Sequence, residues 1–210
     1  PLFIDAVTQT DRGYDFGDWP VTLLTPPPDW LVHLPEPYRR RRVVLTTLEA
    51  LKQFKGRYFV KSLTVKQFPP DVFDLPEGWK NIAMWLSNDT EVLVVETVNF
   101  EVEYRMFVLD RRIETMSIYL RGGKLAEGDD GDWPAPPDES DEARAFAECL
   151  LADAGVEFPK SVVLDVGRIE DRGWAVVELN AAWGSGIYGC EPAVVLRVIE
   201  QATVVNRNKA

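Results

Sequence analysis

The 210-residue chain is poor in the groups that do covalent or redox chemistry: one histidine, two cysteines and three methionines. It holds no apolar run near the 18 or so residues of a membrane span, and no signal-peptide pattern opens it. It starts at Pro1 rather than Met, so some N-terminal residues are expected to be missing. Two cysteines in a chain this size make no disulfide framework, which sets a reducing cytoplasm as the expected location. A catalytic thiol wants a histidine, and the only one, His33, stands in a proline-rich stretch, which argues against a Cys–His nucleophile. Positive charge is also short, with 23 Lys and Arg against 34 Asp and Glu for a net charge of −11. That balance argues against nucleic acid as a partner, since such binding runs on phosphate neutralisation. It argues equally against an anionic membrane surface.

What is present is an ordinary globular composition, 46% hydrophobic and 27% charged, enough for one or two compact domains with a sizeable core. Residues 1–42 read as an irregular N-terminal segment or a reduced subdomain, its apolar pieces broken by Pro26, Pro27, Pro28, Pro35 and Pro37. The basic run Arg39–Arg42 is either a solvated face or an anion-binding wall. The following TTLEALKQF predicts a helix capped by Thr46 or Thr47 and ending near Gly56. Four β-rich stretches then follow, RYFVKSLTVKQF, EVLVVETV, NFEVEYRMFVL and RIETMSIYLRG, with Asp110-Arg111 as a hairpin turn. The acidic, proline-rich EGDDGDWPAPPDE predicts a mobile loop near 125–139. SDEARAFAECLLADAG predicts a helix capped by Ser140 that exits at Gly155, and PAVVLRVIEQATVV a closing helix. Helix, antiparallel sheet, helix, hairpin, helix is the order of an α+β fold.

Gly184, Gly186 and Gly189 match G-x-G-x-x-G after a strand. Only one helix and a polar tail follow, so the βα succession of a dinucleotide site is missing. The loop is either a flexible connection or a place where backbone approaches a ligand. In VVLDVGRIEDRGWAVVELN, a turn centred on Asp171-Arg172 sets Asp165 opposite Glu178, with Asn180 on the same face. Facing like charges are destabilising. A divalent cation resolves the conflict, because two carboxylates and an amide oxygen are the hard-oxygen ligands of Mg²⁺ or Mn²⁺. Two other resolutions stay open: a register shifted by one, which would turn Asp165 to the other face, and neutralisation by an arginine such as Arg168. Lys61 and Lys66 bracket SLTV in an otherwise apolar region, either facing an anion or snorkelling to solvent. Glu103 and Arg105 share one strand face, so Arg105 is set for a phosphate or carboxylate, or for a plain cross-strand ion pair.

The succession FVKS, VLVVETV, EYRMFV, then a late Asp and ELN resembles the ATP-grasp superfamily over about residues 43–200. More narrowly it resembles the divergent clade marked by one arginine and two lysines, related to a eukaryotic assembly factor for translation initiation. The resemblance implies two small lobes in a domain spanning 43–205, with the lobe linker near 93–97 and the nucleotide between antiparallel sheets. It makes Lys61 the phosphate lysine, Lys66 the clade's second lysine with a catalytic role, and Arg105 the clade arginine near the transferred phosphoryl group. Val94, Val95 and Glu96 would meet the nucleotide at the linker, and Asp165, Glu178 and Asn180 would ligate magnesium. The implied activity is an ATP- and Mg²⁺-dependent carboxylate-amine ligase working through an acyl-phosphate, with carboxylate and amine substrates that include peptides or proteins. A phosphotransferase and a nucleotide-dependent assembly factor are the alternatives. Two departures stand out: SLTVKQFPP replaces the usual glycine-rich phosphate loop, and fewer than about 45 residues precede the first strong element, where a substrate-binding domain usually lies.

Overall fold

A computed structural model describes residues 8–10, 13–15, 21–63, 68–84 and 86–205; the side chains of residues 8–10, 13–15, 81 and 83 are not described. In chain order the elements are β1 (Thr8–Thr10), β2 (Gly13–Asp15), β3 (Val21–Leu24), α1 (Trp30–His33), α2 (Glu36–Arg39) and β4 (Val43–Thr47). A 3-10 turn, Glu49–Gln53, leads to β5 (Gly56–Ser62), β6 (Asp71–Leu75), α3 (Trp79–Ala83) and β7 (Glu91–Glu96). The long hairpin β8 (Phe100–Leu109) and β9 (Arg112–Arg121) follows, with β10 (Lys124–Leu125) and α4 (Pro137–Ala152). The last elements are β11 (Ser161–Ile169), β12 (Gly173–Asn180), a 3-10 turn at Ala182–Gly184, α5 (Pro192–Glu200) and β13 (Thr203–Val205). Helices are interspersed among strands that, among the described residues, pair only antiparallel, an α+β fold. Among the described residues no helix is long and apolar enough to cross a membrane.

The chain forms two compact units, residues 28–99 and residues 1–27 with 100–210. In the first, a sheet of order β4-β7-β5-β6 carries a core of Leu48, Leu51, Val60, Leu75, Ile82, Val92 and Val94. Here the expected helix over TTLEALKQF is a strand and a 3-10 turn instead. Val43, Val44 and Leu45 pair with Val95, Val94 and Leu93 of β7. A β-branched run with such a partner forms a strand more readily than a helix.

In the second unit, a five-stranded antiparallel sheet of order β10-β9-β8-β11-β12 has α4 against one face and α5 against the other. A smaller sheet of order β1-β2-β3-β13 joins the two ends of the chain. Residues 1–42, expected to be irregular, thus hold three strands and two short helices among the described residues. The expected long C-terminal helix stops at Glu200, and Val204 and Val205 pair with Thr22 and Val21 of β3. The second correction has a clear cause: the partner strand lies about 180 residues away, and local pattern does not report non-local pairing.

Helix α4 also begins earlier than expected, with Pro137 at its first position, where a missing N–H costs nothing. Ser140 is therefore inside the helix, and its Oγ lies 3.2 Å from the Tyr104 hydroxyl. Glu139, almost fully buried, accepts hydrogen bonds from the Tyr104 hydroxyl (3.0 Å) and from Arg121 Nη2 (2.7 Å). The sheet's other face is kept tight by Gly167 at the centre of β11. A Cβ there would stand 2.6 Å from Phe100 Cδ1, 2.9 Å from the Val102 carbonyl oxygen and 3.1 Å from Glu103 Cγ. Gly167→Ala should therefore destabilise the fold by about 1–3 kcal/mol through overpacking, measured by urea unfolding; no loss would mean the strands can part at that point.

Candidate functional site

Strand β11 is flanked by β8 and β12, so Asp165 has Arg105 beside it on one side and Glu178 on the other. Ser117 of β9 opposes Arg105, which completes a polar row across four strands. The register arises through a compensation. Nearest the turn, Ile169 faces Gly173 and Val166 faces Val176, so the loop is one residue longer than a turn centred on Asp171-Arg172 would make it. A bulge between Asp165 and Val166 then restores the pairing of Asp165 with Glu178.

Asp165 is completely buried, and Arg105 is 7% exposed. The guanidinium grips the carboxylate with both edges of its fork: Nε donates to Oδ1 at 2.9 Å and Nη2 to Oδ2 at 2.7 Å. The arginine that neutralises Asp165 is thus Arg105, from the adjacent strand. Arg168 instead serves Glu101 (2.7 Å), Glu139 (3.4 Å) and Glu142 (3.8 Å). Asn180 Nδ2 donates to Asp165 Oδ2 at 3.1 Å and to Glu178 Oε1 at 2.8 Å, tying the two carboxylates together. Glu103, on the same strand as Arg105, accepts the Tyr119 hydroxyl at 2.6 Å.

Burial raises the Asp165 carboxyl from 3.8 to about 6, while Arg105 pulls it down and Glu178 and Glu103 add to the rise. Burial works against the Arg105 charge, but the Asp165 carboxylate more than offsets it and holds the guanidinium above its ordinary value. Burial, then Asp165 and Glu103, push the Tyr119 phenol far up, so it is a fixed donor at any physiological pH. The Cys190 thiol is pushed up to about 11 by burial, and its Sγ faces the Arg105 carbonyl oxygen at 3.8 Å. It is no nucleophile.

Asp165, Glu178 and Asn180 keep the all-oxygen chemistry that Mg²⁺ or Mn²⁺ takes. With the amide's N–H groups committed to the carboxylates, Asn180 Oδ1 remains an acceptor. Among the described residues no group of three or more His, Cys, Asp or Glu side chains could hold a metal, because the third donor here is an amide. The residues fit the ion in kind, with Asp165 meanwhile held by Arg105.

Lys61, Val94, Val95 and Glu96 belong to the unit of residues 28–99. Lys61 is half-buried on β5, opposite Leu93. Val94 and Val95 lie buried on β7 between β4 and β5, their backbones in ladders on both sides. Glu96 ends that strand; its N–H donates to the Arg42 carbonyl and its Oε2 accepts from the Arg42 N–H, both at 2.9 Å. Lys66 lies outside the described residues.

A family model described as an ATP-grasp domain, family 2 of its clade, matches residues 38–198. The chain belongs to that ATP-grasp family. Among solved structures it is similar to a RimK domain protein ATP-grasp from Sphaerobacter thermophilus DSM 20745, at 16% identity and a TM-score of 0.49 over 77% of this chain and 58% of that one. It is similar to the ATP-grasp ligase PsnB complexed with minimal precursor, at 16% identity and a TM-score of 0.48 over 83% and 60%. D-alanine–D-alanine ligase from Bacillus anthracis matches at 13% and 0.48 over 77% and 61%. The chain thus spans about 60% of the length of the solved structures it matches. No curated protein matches it.

Sequence reasoning missed Tyr119 and Tyr188, whose rings lie against Arg105, and Trp133, which packs on Tyr188. Tyr119 is the extra residue of a β9 bulge, since Glu103 faces Leu120 and Tyr104 faces Ile118. Bulges leave no local signal; the tyrosine inside the glycine motif, Tyr188, was the one visible hint. The buried Asp165 also gives a pH test. Its folded value lies above the unfolded one, so the fold holds a proton there that the unfolded chain has released. That contribution to stability is present below about pH 4 and lost as pH rises through about 6. The unfolding free energy of wild type minus that of Asp165→Asn should therefore fall between pH 4 and pH 7 in urea melts. A flat difference would mean Asp165 keeps an ordinary carboxylate pKa.

Proposed function

We propose that this chain is an ATP- and Mg²⁺-dependent carboxylate-amine ligase acting through an acyl-phosphate. One observation carries the reading: Arg105, Asp165, Glu178 and Asn180 converge on three adjacent strands of one sheet. They form a charged cluster for phosphate and metal, with no protein nucleophile in it. In the reaction, an oxygen of the substrate carboxylate would attack the γ-phosphorus of ATP, and ADP would leave. The amine would then attack the acyl carbon of the acyl-phosphate, expelling inorganic phosphate and losing its proton. A fixed array of charges serves such a transfer by positioning and electrostatic stabilisation.

The residues take distinct parts. Asp165, Glu178 and Asn180 would hold Mg²⁺. When bound, that ion would screen the phosphate oxygens and fix their geometry. Arg105, locked on Asp165 along one edge, would offer its remaining donors to the transferred phosphoryl group. Lys61 and Lys66 would supply further positive charge to the phosphates. Val94, Val95 and Glu96 would meet the adenine at the end of β7, just before the backbone leaves the ladder at residues 97–99. A phosphotransferase would need the same cluster but would leave phosphate on its acceptor, and a labelled-γ-phosphate assay separates the two outcomes.

The nucleotide reading is tested by thermal melts. Mg²⁺-ATP should raise the melting temperature and NADH should not, because a ligand selective for the folded state stabilises it by mass action. Lys61→Ala should weaken ATP binding by about 1.5–3 kcal/mol, the loss of a charge-assisted bond, against little change for the exposed Lys55→Ala. Lys52 is a poor control, since its ammonium sits 4.2 Å from the Trp79 ring centroid and 2.8 Å from Glu49 Oε1. Equal small effects at Lys61 and Lys55 would return Lys61 to the solvent-facing class.

A further inference from the structure

The glycine motif of residues 184–189 and the acidic loop of residues 127–136 take no part in the mechanism above, yet the motif closes on Arg105 and the loop packs on the motif. Gly186 accepts a hydrogen bond from Arg105 Nη1 through its carbonyl oxygen at 3.1 Å. The Tyr188 ring centroid lies 5.0 Å from the guanidinium carbon, and that of Tyr119 lies 5.2 Å from it. These two rings stack on each other at 5.1 Å with 23° between their planes. Trp133, from the acidic loop, meets Tyr188 edge-on at 5.4 Å.

The backbone is shaped for this contact. Tyr188 sits at φ 46°, a left-handed conformation that a tyrosine rarely adopts. Next to it, a Cβ on Gly189 would stand 2.5 Å from Trp133 Cγ and 2.6 Å from Ser117 Oγ. Glycine is required there for the loop to lie against Trp133 and β9. A tyrosine held in an unfavourable conformation beside an obligatory glycine indicates that the ring's position is specified, not incidental.

Arg105 has five N–H donors. Two go to Asp165 and one to the Gly186 carbonyl. Two remain, one on each terminal nitrogen, which suits two oxygens of one phosphoryl group. The Asp165 fork fixes one edge of the guanidinium, and the aromatic contacts fix the tilt of its plane. We propose that Tyr188 is a positioning residue: through ring contact it sets the plane of Arg105, aims the two remaining donors at the terminal phosphate, and so makes the site prefer ATP over ADP. This rests on the reading of Arg105 as a phosphate-binding group.

Calorimetric titration of the whole chain with Mg²⁺-ATP and Mg²⁺-ADP tests it. Wild type should bind ATP more tightly, and Arg105→Met should erase that preference. Tyr188→Phe keeps the ring and should keep the ATP-to-ADP affinity ratio within about twofold. Tyr188→Leu should lower the ratio about tenfold, the size of a desolvated cation–π contact, while ADP affinity stays at the wild-type value. Tyr188→Met fills the same space without a ring and replaces the leucine variant if that one fails to fold. A ratio unchanged in the ringless variants overturns the proposal, as does an equal loss in the phenylalanine variant or a parallel fall in ADP affinity. A wild type with no ATP preference, or Arg105→Met with its preference intact, overturns the phosphate reading of Arg105 and this proposal with it.

Discussion

The buried pair of Asp165 and Arg105 is the interaction on which the functional half of the molecule turns. A carboxylate with no exposure at all is expensive unless it is paired and fully hydrogen-bonded. Here three donors reach it: two from the guanidinium and one from Asn180. Removing either partner would leave a charge in a low-dielectric interior, typically a loss of about 3–5 kcal/mol. The pair is thus structural and chemical at once. It lets β8 and β11 run side by side with ions between them, and it presents a rigid arginine.

The two faces of the five-stranded sheet use charge differently. Under α4, Glu139 meets Arg121, Arg168 and the Tyr104 hydroxyl, and burial raises the Tyr104 phenol to about 12. In that network each charge has an opposite partner, and Arg168 lies over the Trp174 ring at 5.8 Å. It docks a helix. On the other face Phe107, Val163, Ala182, Cys190, Val195 and Val198 pack α5 against the sheet, and the polar row begins where that apolar packing stops. There Arg105 is set against three acids, Asp165, Glu178 and Glu103, a steeper imbalance than the two arginines and three acids under α4.

How much of this was legible in the sequence depends on the range of the interaction. The hairpin holding Asp165, Glu178 and Asn180 is local, and alternation of residue types set the carboxylates face to face. The pairing emerged through two errors that cancel, a longer turn and a bulge, because a β-bulge leaves no mark in hydrophobic periodicity. Arg105 was legible as a charged residue on an apolar strand, but its partner was not, since strand order within a sheet is a non-local property. The same limit hid β13 and turned the start of the first unit from a helix into a strand. Composition served best where it excluded: a single histidine in a proline-rich stretch argued against a Cys–His nucleophile.

Charge balance supports the proposal that a cation binds this cluster. Asp165 and Glu178 bring two carboxylates, and the one guanidinium bonded to them, that of Arg105, is spent on Asp165. Asn180 lends N–H donors, which relieve lone pairs without cancelling charge. Burial raises the Asp165 carboxyl, Arg105 opposes the rise, and Glu178 and Glu103 add smaller contributions to it. A divalent ion would offset the two carboxylates and leave charge to spare for phosphate oxygens. A site meant only for stability would have done better with an apolar residue in place of Asp165, because well-packed hydrophobic replacements of buried ion pairs are often neutral or stabilising. Retaining an acidic cluster around a single clamped arginine costs stability in the absence of ligand. Residues arranged for a bound ion and its phosphates, as proposed, would carry such a cost.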